Sequence, residues 1–461
     1  MHVEAGTILD NRRVQSMTRH RSRDKLQGQA KNSTAGQASS GTQRVVAPLA
    51  VMLLVGLAVR IALLFMWQGE EPRIADEQDY DKIAVNLVER GEYAIFPGHP
   101  CSARPPLYPA FVAAVYQVAG VRNYQAVRGV QVLLGLVLVV QTYLFARRLY
   151  NPRVGLWAAA LTCFYPSLVG FEYLLLSEVL FAVLLMAGLL ALQRHLQKPS
   201  YWQLAWCGVW LGLATLARSV LWPFVPLLAL AVFCMARGQR WPRRLAEAAI
   251  VTLAFVLTLA PWSVRTIRFE QAFIPVDTLG GRNMMMGNYE HTKLYRTWDT
   301  VAIRGPKQWN EVLARETPGY RQLTQGQRDK LAMQRGVRFA LENPGLTAQR
   351  DIIKFFNFWQ LERTLMAGLA DGRWGQQPKL LVLGVGALTA GTYAVTLLLG
   401  VFGFVVLPPE ERRLHWFLLL LVGFVCAVHT VVFGHERYHL SLMPIIFAYS
   451  AAAFVGLRDL W

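Results

Sequence analysis

Two short stretches of this chain hold residue types that can do chemistry. The first runs Ile74-Ala75-Asp76-Glu77-Gln78-Asp79-Tyr80, continues as an amphipathic segment to Gly91, and closes with Arg104-Pro105-Pro106-Leu107-Tyr108-Pro109. A helix N-terminus favours an ionised carboxylate. Asp76 and Glu77 therefore read either as caps of the helix that follows or as reactive carboxylates. Proline fixes its own φ and restrains the residue before it, so Arg104 sits on stiff backbone, as an interfacial anchor or as a cation serving a ligand. The second stretch, His435-Glu436-Arg437-Tyr438-His439, fits H-E-x-x-H, in which two histidines on one helix face bind zinc and the glutamate acts as base. An intramembrane zinc metalloprotease would need a third ligand. Only Asp459 follows, on the side expected to be cytoplasmic, and after Gly434 a turn fits as well as a helix.

What must position these residues is set by composition. The chain has 461 residues, of which 54% are hydrophobic and 16% charged, against roughly 25% charged in a soluble domain. About ten apolar runs approach the roughly 20 residues needed to cross the hydrocarbon core. The expectation is an all-α polytopic membrane protein with external loops and a small extracytoplasmic subdomain. The formal charge of +18 comes from arginines in short loops between spans, a positive-inside signature rather than a nucleic-acid surface. Of five cysteines, Cys163, Cys207, Cys234 and Cys426 lie in apolar runs without metal-type spacing, and Cys101 lies in a polar loop.

Residues 1–44 are polar and basic and read as a disordered cytoplasmic tail, not a signal peptide, so the Asn32-Ser33-Thr34 sequon is on the wrong side for glycosylation. Spans are expected at 45–67, 126–146, 154–171, 174–193, 202–217, 220–236, 245–262, 379–406, 414–433 and 440–457. Arg147, Arg148, Arg153, Arg194, Lys198, Arg237, Arg240, Arg243, Arg244, Arg412 and Arg413 then fall on one side. Both termini are cytoplasmic in this scheme, in a plasma membrane such as the inner membrane of a bacterium. The divisions are an N-terminal transmembrane module at 45–262 with its first external loop at 68–125, an extracytoplasmic segment at 263–378, and C-terminal helices at 379–461. The end of that segment, Ile352 to Trp359, is aromatic and amphipathic and suits a helix lying at the interface. Absence of an internal repeat, and polar residues gathered at one face, argue against the alternative of a transporter.

This topology puts Arg104, Arg218, Arg265 and Arg437 at external ends of spans. Glu172 and Glu178 flank the start of the fourth span. Glu178, about a turn into an apolar helix, is costly unless it is functional or paired with one of these arginines.

The pattern Asp76-x-x-x-Tyr80-x-x-x-Ala84-x-x-Leu87-x-x-x-Gly91 followed by Arg104-Pro105-Pro106-Leu107-Tyr108-Pro109 resembles the first external loop of membrane glycosyltransferases of family 39, in the GT-C superfamily. That group includes protein O-mannosyltransferases and lipid A aminoarabinose transferases. Further matches follow in order: Tyr165-Pro166 with Leu176-Ser177-Glu178, Leu216-Ala217-Arg218, Pro261-Trp262-x-x-Arg265, Gly280-Gly281-x-Asn283 with Gly287-Asn288, and Arg437-Tyr438 with Pro444. Two features depart from the pattern. Thr266 stands where the family commonly has Asn, and Arg104 points away from the aminoarabinose transferases, whose loop is built around a lysine.

The resemblance implies a GT-C transmembrane bundle. It also implies inverting transfer of a sugar from a polyprenyl-phosphate donor to a lipid, glycan or protein acceptor outside the cytoplasm. Asp76 would be the general base, with Glu77 beside it resembling the Asp-Glu pair of the protein mannosyltransferases. An external carboxylate near the membrane surface can meet both a lipid donor and a polar acceptor. A lipid-phosphate leaving group needs cationic donors, and the planar fork of arginine binds phosphate oxygens in pairs. Arg104, Arg218, Arg265 and Arg437 with Tyr438 are the phosphate-binding candidates, and Glu172, Glu178 and His435 the supporting ones. Divalent-cation use varies across the superfamily, and no carboxylate cluster here demands one. Expected partners are the donor lipid, the acceptor and membrane lipids, with no nucleic acid.

Overall fold

The structure, a computed structural model, describes residues 47–67 and 71–458. The expected tail at 1–44, with its sequon, and Asp459 lie outside the described residues. The chain divides into units Met1–Leu54 and Val55–Trp461, and the second carries everything discussed below.

Helix α1 (Ala47–Met66) leads through residues 71–74 to α2 (Ala75–Arg90). Gly91 ends α2 in the left-handed conformation, φ 68°, as expected of that position. A short antiparallel hairpin, β1 (Ala94–Phe96) with β2 (His99–Pro100), precedes α3 (Leu107–Ala119), α4 (Tyr124–Leu149), α5 (Pro152–Phe164), α6 (Pro166–Phe171), α7 (Glu178–Gln197) and α8 (Tyr201–Ala217). Local chemistry explains several starts. The Asn123 side chain caps α4 at the N–H of Ala126, and Asn151 caps α5 at Val154, both at 3.0 Å, with Pro152 at the first helical position.

A 3-10 turn at Ser219–Phe224 runs into α9 (Val225–Met235), followed by α10 (Trp241–Glu270). Buried, almost wholly apolar α7 packs between α4 and α8, and α8 packs on α10. That last contact is close because Gly208 has no side chain. A Cβ there would lie 2.3 Å from the Val251 carbonyl oxygen.

Beyond α10 come α11 (Gly280–Gly287), α12 (Trp309–Glu316), α13 (Gln325–Glu342), α14 (Pro344–Phe358) and α15 (Thr364–Ala370). Then follow α16 (Lys379–Val406), α17 (Arg412–Val431) and α18 (Met443–Arg458). Helices α11 to α13 build a small core of their own around Met285, Tyr289, Val312, Leu313, Tyr320 and Ala332.

Helix α14 is amphipathic in an inverted sense. Ile352, Phe355 and Phe356 are exposed, whereas the cationic heads are inside. Arg350 donates to the Tyr289 and Thr292 carbonyls, and the Lys354 ammonium donates to Asn288 Oδ1 at 3.1 Å and the Val431 carbonyl at 3.0 Å. An outward apolar face backed by a polar one suits the interfacial position expected from the sequence.

Among the described residues, seven helices are long and apolar enough to cross a membrane: 47–66, 124–149, 178–197, 241–270, 379–406, 412–431 and 436–458. The protein is a multi-pass, all-α membrane protein. The other three expected spans are shorter or broken, for visible reasons. Pro166 divides 154–171 into α5 and α6, α8 has 17 residues, and 220–236 opens as a 3-10 turn containing Pro223.

The turn from Glu172 to Ser177 is buried without being helical, which lipid-embedded backbone tolerates only when protein satisfies its polar groups. Here the Gln131 amide donates to the Glu172 and Leu174 carbonyls, both at 2.8 Å, and Arg128 Nε donates to the Tyr173 carbonyl at 3.1 Å. The Leu175 N–H donates to Glu77 at 3.0 Å. Glu172 itself forms a two-pronged pair with Arg60 of α1, at 2.7 and 2.9 Å, with 1% and 2% of the two side chains exposed.

Candidate active site

The start of α2 places two adjacent carboxylates in different surroundings. Glu77 turns back and in. It accepts the N–H groups of Arg73 and Ile74, at 3.1 and 2.9 Å, and that of Leu175, and it pairs with Arg373 at 2.9 Å. It is the residue that caps the helix. Asp76 makes no capping bond, which removes the alternative role left open for it.

One Asp76 oxygen meets Arg104 Nη2 and the other meets Arg437 Nη2, each at 2.7 Å, and 18% of its side chain remains exposed. Burial alone would raise its pKa, but Arg437, Arg104 and Arg218 together hold it below the ordinary carboxylate range. It is ionised at any physiological pH.

The arginines come from four distant parts of the chain. Arg104, on the stiff Arg-Pro-Pro turn, also reaches Asp79 through Nε and Nη2, at 3.1 and 2.7 Å, and lies over the Tyr80 ring. Arg437 sits in the 3-10 turn before α18, between the rings of Trp298 and Tyr438, and its Nε is buried without a partner. Arg218, just after α8, pairs with Glu178 at 2.7 Å and faces Tyr438. The Tyr438 ring stacks on His429 at 4.0 Å.

Arg265 goes elsewhere. It donates to the Cys101 carbonyl at 2.9 Å and the Ser102 hydroxyl at 3.0 Å and stacks on Trp262, fastening α10 to the hairpin loop. Glu172, held by Arg60, is likewise apart from the cluster.

The H-E-x-x-H pattern does not form a zinc-binding helix. Residues 436–438 are a 3-10 turn. His439 is buried, with Nδ1 against the Phe358 carbonyl at 2.5 Å and Nε2 against Glu362 at 2.9 Å, so both nitrogens are engaged within the fold. Among the described residues no three His, Cys, Asp or Glu side chains gather to hold a metal ion. His435 lies beside Trp298 and takes the Arg437 N–H on Nδ1 at 3.2 Å. Burial lowers its pKa to about 4, with the Arg437 charge opposing the pull of Glu436, so the ring is neutral.

Arg437 and His435 line a cleft of about 500 Å³. Phe171, Leu174 and Leu176 give it an apolar wall, and Trp298 and Trp374 an aromatic one. Arg363 and Arg373 add positive charge. Among the described residues Arg363 has no carboxylate partner and donates its side chain only to Gln360, at 2.9 Å. Asp371 and Glu436 also line the cleft, and Asp76 meets it through Arg437. An apolar wall beside several guanidinium groups can seat an amphiphile with an anionic head.

Sequence reasoning missed Asp79, Trp298, Arg363, Arg373 and Trp374. Asp79 could have been read as the next carboxylate on the Asp76 face of α2, and Arg373-Trp374, bracketed by Gly372 and Gly375, as a turn presenting a cation and an aromatic. Trp298 and Arg363 carry no local signal.

The fold is that of the GT-C membrane glycosyltransferases. The structure resembles the oligosaccharyltransferase AglB of Archaeoglobus fulgidus in complex with an inhibitory peptide and a dolichol-phosphate, with a TM-score of 0.52 at 14% identity over 90% of this chain. The chain spans about half the length of that protein, 50% of it being covered. ArnT from Cupriavidus metallidurans bound to undecaprenyl phosphate is a weaker likeness, with a TM-score of 0.42 at 15% identity over 88% of this chain and 78% of that one.

In sequence, residues 103–264, about a third of the chain, match the family described as dolichyl-phosphate-mannose-protein mannosyltransferase. The resemblance to membrane glycosyltransferases read from the motifs is thus borne out. No curated protein matches the chain significantly.

Proposed function

We propose that the protein transfers a sugar from a polyprenyl-phosphate donor to an acceptor hydroxyl on the extracytoplasmic side of the membrane, with Asp76 as general base. The observation that carries this reading is Asp76 itself. It is ionised, partly exposed and, among the described residues, bound only by two arginines, one of which lines a cleft with an apolar wall. The dolichol-phosphate held by the structurally similar AglB supports a lipid phosphate as the donor's leaving group.

The chemistry follows from the charges. The acceptor oxygen attacks the anomeric carbon from the face opposite the phosphate while Asp76 takes its proton. One displacement gives inversion at that carbon. Charge builds on the departing phosphate, and Arg437, Arg104 and Arg218, pre-oriented by Trp298, Asp79 and Glu178, stabilise it. Arg437 Nε, which lacks a partner in the fold, is available for a phosphate oxygen.

A carboxylate clamped by two guanidinium groups is a weak base. When phosphate draws Arg104 and Arg437 towards itself, the basicity of Asp76 rises towards that of an ordinary carboxylate. The base is strengthened by the arrival of the donor. Glu77, saturated by its four partners, braces the loop, and Arg265 braces α10.

The test is Asp76→Asn in the full chain. Transfer should fall by about 10²- to 10⁴-fold, while thermal unfolding and binding of a polyprenyl phosphate stay close to wild type. Turnover near the wild-type rate would overturn the assignment.

A further inference from the structure

Within electrostatic reach of Arg104 lies a second polar cluster that the transfer step described above leaves idle. Asp277 is buried, 9% exposed, and its Oδ2 has no hydrogen-bond partner. Its other oxygen accepts the Leu279 N–H at 3.2 Å, and Ser219, next to Arg218, lies near the carboxylate. The following residue fixes it against the catalytic loop: Thr278 donates its N–H to the Ser102 carbonyl at 2.9 Å, two residues before Arg104.

Arg282, in the first turn of α11, has a buried Nε with no partner and lies within electrostatic reach of Arg104, Asp76 and Asp79. The N-terminus of α11 is closed by Asp329, which accepts the N–H groups of Gly281 and Arg282 at 3.0 and 2.8 Å. The free valences are therefore side-chain ones.

A buried carboxylate oxygen and a buried guanidinium nitrogen left unpaired within electrostatic reach of the same arginine are expensive unless something else satisfies them. An acceptor of this kind takes hydroxyl hydrogens, and the guanidinium donates to hydroxyl or ring oxygens. The sugar ring of a glycosyl phosphate is one bond from the phosphate, so groups fastened beside the Arg104 loop through the Thr278–Ser102 bond are placed to meet the ring. Burial also raises the Asp277 pKa to about 6, so it is ionised at neutral pH and pairs better with hydroxyl donors than with another anion.

We infer that Asp277 and Arg282 recognise the hydroxyls of the transferred sugar and set which sugar the enzyme accepts. This rests on the glycosyltransferase reading above.

The test uses the purified full chain in lipid nanodiscs. Probes are bare polyprenyl phosphate and polyprenyl phosphates carrying mannose, glucose or galactose, and binding is compared for wild type, Asp277→Ala, Asp277→Asn and Arg282→Lys. Wild type should bind one glycosylated lipid about tenfold or more above the bare one and above the other sugars. Asp277→Ala should collapse that ranking to within about threefold while bare polyprenyl phosphate binds as before, with Asn and Lys intermediate. An unchanged ranking in Asp277→Ala, or equal loss of bare and glycosylated lipid in all three variants, would overturn the inference. If wild type binds the bare lipid but ranks no sugar above it, sugar recognition falls alone. If it binds none of the four lipids, the glycosyltransferase reading falls and takes the inference with it.

Discussion

Two arginine–carboxylate assemblies, Arg60 with Glu172 and Asp76 with Arg104 and Arg437, have opposite consequences. Arg60 and Glu172 are almost fully buried and meet through two bonds, and the remaining Arg60 nitrogen donates to the Gly56 and Cys163 carbonyls, at 3.2 and 3.0 Å. Each group has what it needs inside the fold. Asp76 has one bond to each of two arginines, keeps part of its surface open, and faces an Arg437 whose Nε is unpartnered. The residue types are the same, so saturation rather than charge separates an internal clasp from the proposed reactive centre. Adjacent Glu77 and Asp76 repeat the contrast within two residues.

Substitutions can break this comparison. The largest effect expected after Asp76→Asn comes from Glu172→Gln. It leaves Arg60 buried and uncompensated, at a cost of about 3–5 kcal/mol. The yield of folded protein in detergent should drop steeply, while the molecules that do fold keep wild-type transfer rates. A variant that folds normally but transfers slowly would erase the distinction.

Arg437→Lys comes next. It keeps the charge and loses the planar fork, so turnover should fall about 10- to 100-fold with little change in melting temperature.

A smaller effect sharpens the picture at Asp277. Its folded pKa of about 6 lies above its ordinary value of 3.8, so the folded state holds the extra proton between those values. Stability is then fully present below about pH 4 and declines as the pH rises through 6, by roughly 2–3 kcal/mol. Asp277→Asn should flatten that slope in thermal unfolding measured from pH 4 to 7.

How far the sequence could lead depended on range. Long apolar runs showed α1, α4, α7, α10, α16 and α17 directly, because hydropathy is a local property. Pro166 and Pro223 were equally visible, yet reading 154–171 and 220–236 as spans gave length more weight than the break. The motif series pointed to Asp76, Arg104, Arg218 and Arg437, which the fold brings together.

It named Asp76 over Glu77 as the base, but the contact that occupies Glu77, the Leu175 N–H arriving from 98 residues away, has no local trace in the sequence. It ranked Arg265 with Arg437 as the better phosphate candidates, yet Arg265 stands apart from the other three in the fold. All four lie at ends of expected spans, but only Arg265 faces the Cys101 carbonyl. Asp277, Arg282 and Arg363 were silent because their neighbours are supplied entirely by tertiary packing.

The Arg60–Glu172 pair also constrains how the chain is made. Arg60 leaves the ribosome more than a hundred residues before Glu172, within α1. A lone arginine at that depth is costly in lipid. Helix α1 therefore cannot settle into its final seat until the α5–α7 region has been synthesised and inserted beside it. The clasp thus ties the seating of α1 to the segment that carries the candidate cleft's apolar wall.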